Sequence, residues 1–427
     1  MVRLRVIDEP NHGKVGPVEV WPFASIEERL VNVLASSSES AAVDAVDCAL
    51  MQAVAHRASD VHFEPWQECL ALRYRIDGIL HDVAQVPRAQ HSRIVARLKI
   101  LAQLVIYQRD MPQDGRIEPE STPCRKGMRV STYPTVHGEK VVVRLLDSRD
   151  VPFTLDTLGL RPALLGTLRR LLASPQGTIL LTGPSSSGKT TTIYAILREL
   201  LALREPSPHI ATIEDPVEYR LGRVAQTEVN PHAGFTFEAA LRSLLRQDPE
   251  VIMIGEIRDA ETARTAIQAG LTGHLVISTI HSGTAAGVFT RLLDMGIEPF
   301  LVASSVTGVL AQRLVRLVCP HCAAQDNPEG SQLAPYGLLV REGEYRQGRG
   351  CDACQGIGYR GRTAVGELLH VNGEISDLVL ARSRTSVLHE AAIANGMVTL
   401  AQDGAARVRA GETTLEELRR VIPPAME

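Results

Sequence analysis

Residues 178 to 197, TILLTGPSSSGKTTTIYAIL, carry the densest chemistry in the chain. Within them Gly183-Pro184-Ser185-Ser186-Ser187-Gly188-Lys189-Thr190-Thr191 satisfies G-x-x-x-x-G-K-[ST]. Glycines and small residues let backbone N–H groups close around a phosphate at a helix N-terminus, where the helix dipole adds favourable charge. In such a loop Lys189 reaches the β- and γ-phosphates and the Thr190 hydroxyl ligates Mg²⁺. Holding a nucleotide is not turnover. Hydrolysis of ATP also needs a carboxylate near Mg²⁺, a group that orients water, and cations for the charge on the γ-phosphate.

Three later segments offer those groups. Val251-Ile252-Met253-Ile254 is apolar and ends in Gly255-Glu256, so Glu256 is the candidate to polarise the attacking water, directly or through the Mg²⁺ shell. Ile213 is followed by Glu214-Asp215-Pro216. Two carboxylates there suit a metal that keeps most of its waters, although an Asp-Pro pair also starts turns. His281 follows Leu275-Val276-Ile277-Ser278-Thr279-Ile280, where a polar group can sense or stabilise the γ-phosphate or serve structure alone. Arg242, Arg246 and Arg258 flank the acidic strand and are candidates to neutralise phosphate charge.

A second constellation is separate from the first. Of seven cysteines, Cys48, Cys69 and Cys124 stand singly, while Cys319/Cys322 and Cys351/Cys354 form two Cys-x-x-Cys pairs 28 residues apart. Four thiolates satisfy tetrahedral Zn²⁺ with no open position, which makes the site structural rather than catalytic. The alternative is a redox dithiol pair, but no thioredoxin-like context surrounds it. The gap exceeds the usual ribbon spacing of about 15–20 residues, so the middle is expected to fold out as a small lobe.

The elements that must position these groups follow from periodicity. Thr178–Leu181, Ile210–Ile213, Val251–Ile254 and Leu275–Thr279 read as strands, with helices after the phosphate loop, after the Gly234–Phe237 turn and after Asp259. Asp259 caps the last of these, which is expected to stop before Gly270. Strand–helix alternation from about 161 predicts an α/β domain with a parallel sheet. Residues 151–160 read as a linker, and the pattern from about 366 to the end as helical.

Before the linker, residues 41–150 read as a small α+β domain: helices over Ala41–His56 and Ile94–Ile106, and strands turning at Asp77-Gly78 and His137-Gly138. Its strands carry Arg73, Arg75, Arg116, Arg129 and Arg144. Alternation on a half-exposed strand yields a solvated face, whereas guanidinium forks aimed one way suit phosphate. Residues 1–40 read as an extended lead with one short helix, capped by Ser25 with Glu28 and apolar at Ile26, Leu30, Val33 and Leu34.

Composition narrows the class. The 427 residues are 44% hydrophobic and 22% charged, ordinary globular values that allow two or three domains. A net charge of −4 and 4% aromatic content argue against a basic, aromatic-lined nucleic-acid channel, and no direct nucleic acid is expected. With neither a membrane-length apolar run nor a signal peptide, the expectation is cytoplasmic.

Taken together, these motifs resemble one family, the GspE/PilB-type secretion ATPases of type II secretion and type IV pilus assembly. GPSSSGKTT, IATIEDPVEY, LRSLLRQDPEVIMIGEIRD and GHLVISTIHSGTA follow in the order of its Walker A, aspartate-box, Walker B and histidine-box motifs. The tetracysteine segment and GYRGRTAVGELL also match, and SDVHFEP, RYRIDG, PQDGR and RVSTYPTVHGEKVVVRLL look like its second N-terminal domain. Ser185-Ser186-Ser187 stands where the family often has Thr-Gly-Ser. The resemblance implies a small α+β domain followed by a RecA-like P-loop ATPase domain (151–427) with a zinc-binding insertion at about 319–355. It implies ATP, Mg²⁺ and Zn²⁺ as ligands, and Arg129 and Arg144 reaching the nucleotide. It further implies a homo-hexameric motor at the inner face of the bacterial inner membrane, working on a platform protein. Type II members commonly carry an extra membrane-docking domain ahead of the match. Here docking is expected through the short helix near 25–34, or with a different partner. The rival readings are a nucleic-acid uptake or transfer motor and a zinc-stabilised regulator that uses nucleotide as a switch.

Overall fold

In the computed structural model, residues 19–36, 38–145, 153–203, 208–340 and 343–424 are described. The lead before residue 19 and the first residues of the expected linker, 151–152, lie outside them. The chain divides into two compact units, Met1–Arg149 and Asp150–Glu427.

The first unit contains α1 (Phe23–Ala35), α2 (Ala41–Ala55), β1 (Asp60–Pro65), β2 (Cys69–Ile76), β3 (Ile79–Pro87), α3 (His91–Leu101), β4 (Gln113–Ile117), β5 (Met128–Thr135) and β6 (Gly138–Leu145). Its six strands form one antiparallel sheet in the order β3-β2-β1-β6-β5-β4. Ile26, Leu30 and Leu34 of α1, with Ala45, Ala49 and Leu50 of α2, are buried with Val61, Phe63, Val141 and Val143. Three details depart from the periodicity. Helix α1 begins at Phe23, after Pro22, so Ser25 falls inside its first turn and no side chain caps it. Helix α3 ends at Leu101 rather than Ile106, because Gln103 turns left-handed at φ +57° and closes the chain back on Lys99. Strand β4 had no apolar alternation to announce it, since only Ile117 of its five residues is buried.

The second unit contains α4 (Pro162–Leu172), β7 (Gly177–Thr182), α5 (Lys189–Leu203), β8 (Ile210–Glu214), β9 (Ala225–Glu228), α6 (Phe237–Leu244), β10 (Val251–Ile254), α7 (Ala260–Leu271) and β11 (Leu275–Thr279). After them come α8 (Ala285–Asp294), α9 (Pro299–Ser305), β12 (Val306–Val318), β13 (Ala323–Gln325), α10 (Gly330–Leu333), β14 (Arg346–Gly348) and β15 (Tyr359–His370). Helices α11 (Gly373–Leu380), α12 (Thr385–Ala394), α13 (Leu400–Arg409) and α14 (Leu415–Val421) close the chain. Seven strands make a sheet in the order β15-β12-β7-β11-β10-β8-β9, parallel except for the β12–β15 pair. One apolar cluster covers each face: Leu168, Ile193, Ile196 and Leu197 in one, Ala263, Ile267, Phe289 and Leu292 in the other. The expectation of an α/β domain with a parallel sheet holds.

Helix α7 runs through Gly270 instead of stopping before it. A Cβ there would lie 2.3 Å from Thr178 Oγ1, so this glycine serves close packing, and Gly273 at φ +104° supplies the stop. The C-terminal helices begin only at Gly373. Residues Thr363–Leu369 of β15 are buried throughout, and a strand buried on both faces lacks the alternation that distinguishes it from a helix.

The segment between the cysteine pairs packs back on the C-terminal helices instead of standing apart as a lobe. Leu333, Tyr336, Leu338 and Tyr345 share a small core with Ala405, Val408, Leu415 and Leu418. Beside it, Glu417 has no exposed surface and accepts from Arg316 Nε and Nη2 at 3.0 and 2.8 Å and from Arg420 Nε and Nη2 at 2.8 and 2.7 Å. The Arg316 guanidinium also stacks 3.9 Å over the Tyr359 ring. Burial alone would raise the Glu417 pKa, but bonds from Arg420 and Arg316 outweigh it and hold the carboxyl below the ordinary value. A depressed pKa contributes stability above the unfolded-state value and loses it as pH falls through the folded value. Glu417→Gln, which leaves the nearly buried Arg316 uncompensated, is expected to cost about 3 kcal/mol at neutral pH. A denaturant midpoint measures this, and the gap to wild type should close as pH drops below the ordinary glutamate range.

Candidate functional site

Strand β7 has no exposed residue and is flanked by β12 and β11, so the chain leaves it at the carboxyl edge of the sheet and turns at once into α5. The turn is the loop 183–188, closed by three residues at positive φ: Gly183 (+148°), Ser186 (+62°) and Gly188 (+87°). Lys189 Nζ lies across the loop, donating to Gly183 O at 2.8 Å and Pro184 O at 2.9 Å. Burial lowers the Lys189 pKa, and the nearby Glu256 carboxylate offsets part of that. Ser187 Oγ is buried and, among the described residues, has no hydrogen-bond partner, so its hydroxyl donor is left without an acceptor, which suits an anion. Pro184, Ser185, Ser186 and Thr190 are exposed around it, and Thr191 is partly so.

The underside of the loop holds a residue that the sequence reading did not single out. Gln312 of β12 is 1% exposed; its Nε2 donates to Ser187 O at 2.9 Å and its Oε1 accepts from Thr192 Oγ1 at 2.8 Å. A polar Gln-Arg pair inside the run VTGVLAQRLVRLV was the available signal. Arg313, next to it, donates to Gly283 O at 2.8 Å, and Thr182 Oγ1 exchanges bonds with Ser282 N and O at 2.8 and 3.0 Å. These contacts tie the loop after His281 to the phosphate loop.

Four parallel strand ends converge here. Glu256, just past β10, pairs with Arg258 and lies 3.7 Å from His281 Nε2 beyond β11. Their hydrogen bond holds the Arg258 pKa above its ordinary value, and Asp215 adds to that electrostatically. Glu214, ending β8, sits deeper. It is 3% exposed and accepts from Tyr194 Oη, from Thr212 Oγ1 at 2.5 Å and from Gln226 Nε2 at 3.0 Å. Burial first, and then the Glu214 carboxylate, push the Tyr194 hydroxyl well up. Asp215 beside it is exposed. Of the flanking arginines, Arg242 is engaged by Glu238 at 2.7 Å and Glu261 at 3.7 Å.

In the first unit, strand register aligns the arginines. Arg116 opposes Arg129, Arg129 opposes Arg144, Arg144 opposes Asp60, and Asp60 opposes Arg75. Directly paired residues share a face, so one row of four arginines crosses five strands with a single buried acid among them. Asp60 bonds Arg144 Nε at 2.9 Å and lies 3.6 Å from Arg75 Nε.

The four paired cysteines meet in one place. Their sulfurs all lie within 4.8 Å of one another, with Cys319–Cys351, Cys322–Cys354 and Cys351–Cys354 at 3.9, 3.8 and 3.7 Å. A tetrahedron of thiolates at about 2.3 Å from Zn²⁺ has edges of about 3.8 Å, so the donor set fits that ion. Cys354 Sγ also accepts from the N–H groups of Cys351 and Gly358, both at 3.2 Å, bonds that favour a thiolate.

Comparison with known proteins matches this arrangement to a family. The sequence model described as "Type II/IV secretion system protein" matches residues 35–420. The chain is 47% identical over 380 residues to the type II secretion system protein HxcR of Pseudomonas aeruginosa, covering 89% of this chain and 77% of that one. It is 43% identical to the type II secretion system ATPase E of Vibrio cholerae, covering 93% and 79%. It is also 43% identical to the type IV pilus assembly ATPase PilB of Thermus thermophilus, covering 89% and 43%. Among solved structures, the ATPase DotB of Legionella pneumophila superposes with a TM-score of 0.65 at 18% identity, over 88% of this chain and 94% of that one, a likeness of fold. With its phosphate loop, acidic strand ends and cysteine cluster in one polypeptide, the chain belongs to the type II/IV secretion system protein family, a family of secretion ATPases.

Proposed function

We propose that this chain hydrolyses ATP as the cytoplasmic motor of a machine for type II protein secretion or type IV pilus extension. The observation that carries the reading is the convergence of Lys189, Glu256, His281 and Arg258 on the loop 183–188 at the carboxyl edge of one parallel sheet. The loop's backbone and Lys189 would cradle the phosphates, and Thr190, exposed on the first turn of α5, would hold Mg²⁺. Mg²⁺, when bound, draws charge from the β- and γ-phosphates. Glu256 orients the attacking water and takes its proton as the bond between the γ-phosphorus and the bridging oxygen breaks. His281 and Arg258, both against Glu256, meet the charge that develops on the γ-phosphate. Glu214 and Asp215 act from the neighbouring strand end, the buried one through its fixed network, while the exposed one would help hold Mg²⁺.

Arg129 and Arg144 are further candidate cations for the nucleotide. In a homo-hexamer, turnover drives an inner-membrane platform protein, and a docking protein holds the motor at the membrane. Among the described residues no helix is long and apolar enough to cross a membrane. The names of the Vibrio and Thermus relatives support both pathways equally.

Glu256→Gln is expected to lower kcat by roughly 10²- to 10³-fold while nucleotide affinity changes little. Phosphate release from the assembled protein, beside binding of a fluorescent ADP, separates the two, and an unchanged kcat would remove Glu256 from the catalytic role. Freshly purified protein should carry about one Zn²⁺ per chain, and Cys351→Ser should lose it together with thermal stability. Elemental analysis and a melting curve check that outcome.

A further inference from the structure

The two glycines that define the phosphate loop face one and the same residue. A Cβ on Gly183 would lie 2.5 Å from Gln312 O, and a Cβ on Gly188 would lie 2.7 Å from Gln312 Nε2. Gln312 therefore lies under both ends of the loop, with its side chain bridging Ser187 O and Thr192 Oγ1. Between those ends Ser186 holds φ at +62°, a left-handed conformation that glycine adopts freely and L side chains adopt at a cost. Strain of this kind persists only where the surroundings over-determine it.

Two sets of side-chain bonds do so here. One is Lys189 Nζ on Gly183 O and Pro184 O; the other is Gln312 on Ser187 O. A lysine that turns to a phosphate gives up its bonds to the loop. The Gln312 bond is buried and comes from the strand beneath the loop.

We propose that Gln312 is a positioning residue for the nucleotide reaction: it holds the phosphate loop in its phosphate-binding shape against the backbone strain at Ser186. This rests on the reading that the loop holds nucleotide. The partnership with Thr192 keeps the amide in register, because a Thr192 hydroxyl that donates to Oε1 leaves Nε2 directed at Ser187 O. The position is set by β12, whose Ala311 pairs with Thr182, the last residue before the loop.

The test uses the full chain and a fluorescent ADP analogue. Gln312→Met conserves volume and removes both bonds, and is expected to weaken binding roughly tenfold. Measured in a Ser186→Gly background, the loss caused by Gln312→Met should largely disappear, because glycine needs no clamp to hold the same φ. A merely structural glutamine would not be rescued by a change in the exposed loop above it. Wild-type affinity in Gln312→Met, or a loss that persists undiminished with Ser186→Gly, overturns the proposal. If Gln312→Met does not fold, Thr192→Val with and without Ser186→Gly carries the same comparison, with a smaller loss expected and the same rescue. Lys189→Ala is the separate control: unimpaired binding there would overturn the nucleotide reading itself and leave the Gln312 result a statement about loop shape alone.

Discussion

Everything at the site depends on one strand being buried on all sides. Strand β7 lies between β12 and β11 with no exposed residue, and its two threonines are matched rather than orphaned: Thr178 to Ser305 Oγ at 2.8 Å and Thr182 to Ser282. A strand held this firmly has one exit, at the carboxyl edge of the sheet, and there the first free backbone groups become the phosphate loop. The same parallel register delivers the ends of β8, β10 and β11 to that edge, which is why residues spread from 183 to 281 meet.

Environment then divides the labour among like groups. Glu214 and Glu256 both end strands, yet the first is sealed under Tyr194, Thr212 and Gln226 while the second keeps a fifth of its side chain open and faces Arg258 and His281. A carboxylate whose lone pairs are already taken organises its surroundings, whereas one at the mouth can meet water. Lys189 is the counterpart on the cationic side. Its burial makes a free ammonium costly, and the Gly183 and Pro184 carbonyls accept from it.

The first unit follows a different rule. Its antiparallel register places Arg116, Arg129, Arg144 and Arg75 in one transverse row, with Asp60 taking up two of them. Like charges placed side by side are unfavourable, and the buried Asp60 carboxylate between Arg144 and Arg75 offsets part of that repulsion.

Much of this was legible in the residues. The phosphate loop, Glu256, His281 and the four metal-spaced cysteines announce themselves because their chemistry demands fixed types at short, fixed separations. Strands β7, β8, β10 and β11 are visible as apolar runs between turn residues for the same local reason. The sequence left β4, the end of α3 and the length of β15 unread, because an edge strand with one buried residue, a left-handed Gln103 and a doubly buried strand carry no local period. Nor could spacing say that Gly270 is a packing contact, that four arginines share a row, or that Glu214 is sealed while Glu256 is open. Gln312 is the clearest case. It lies 124 residues after Gly188 in the chain and directly beneath it in the fold, and only the pairing of β12 with β7 decides that. Local chemistry is written in neighbouring residues, but which distant side chain supports it is settled by strand order and burial, and those exist only once the sheet has formed.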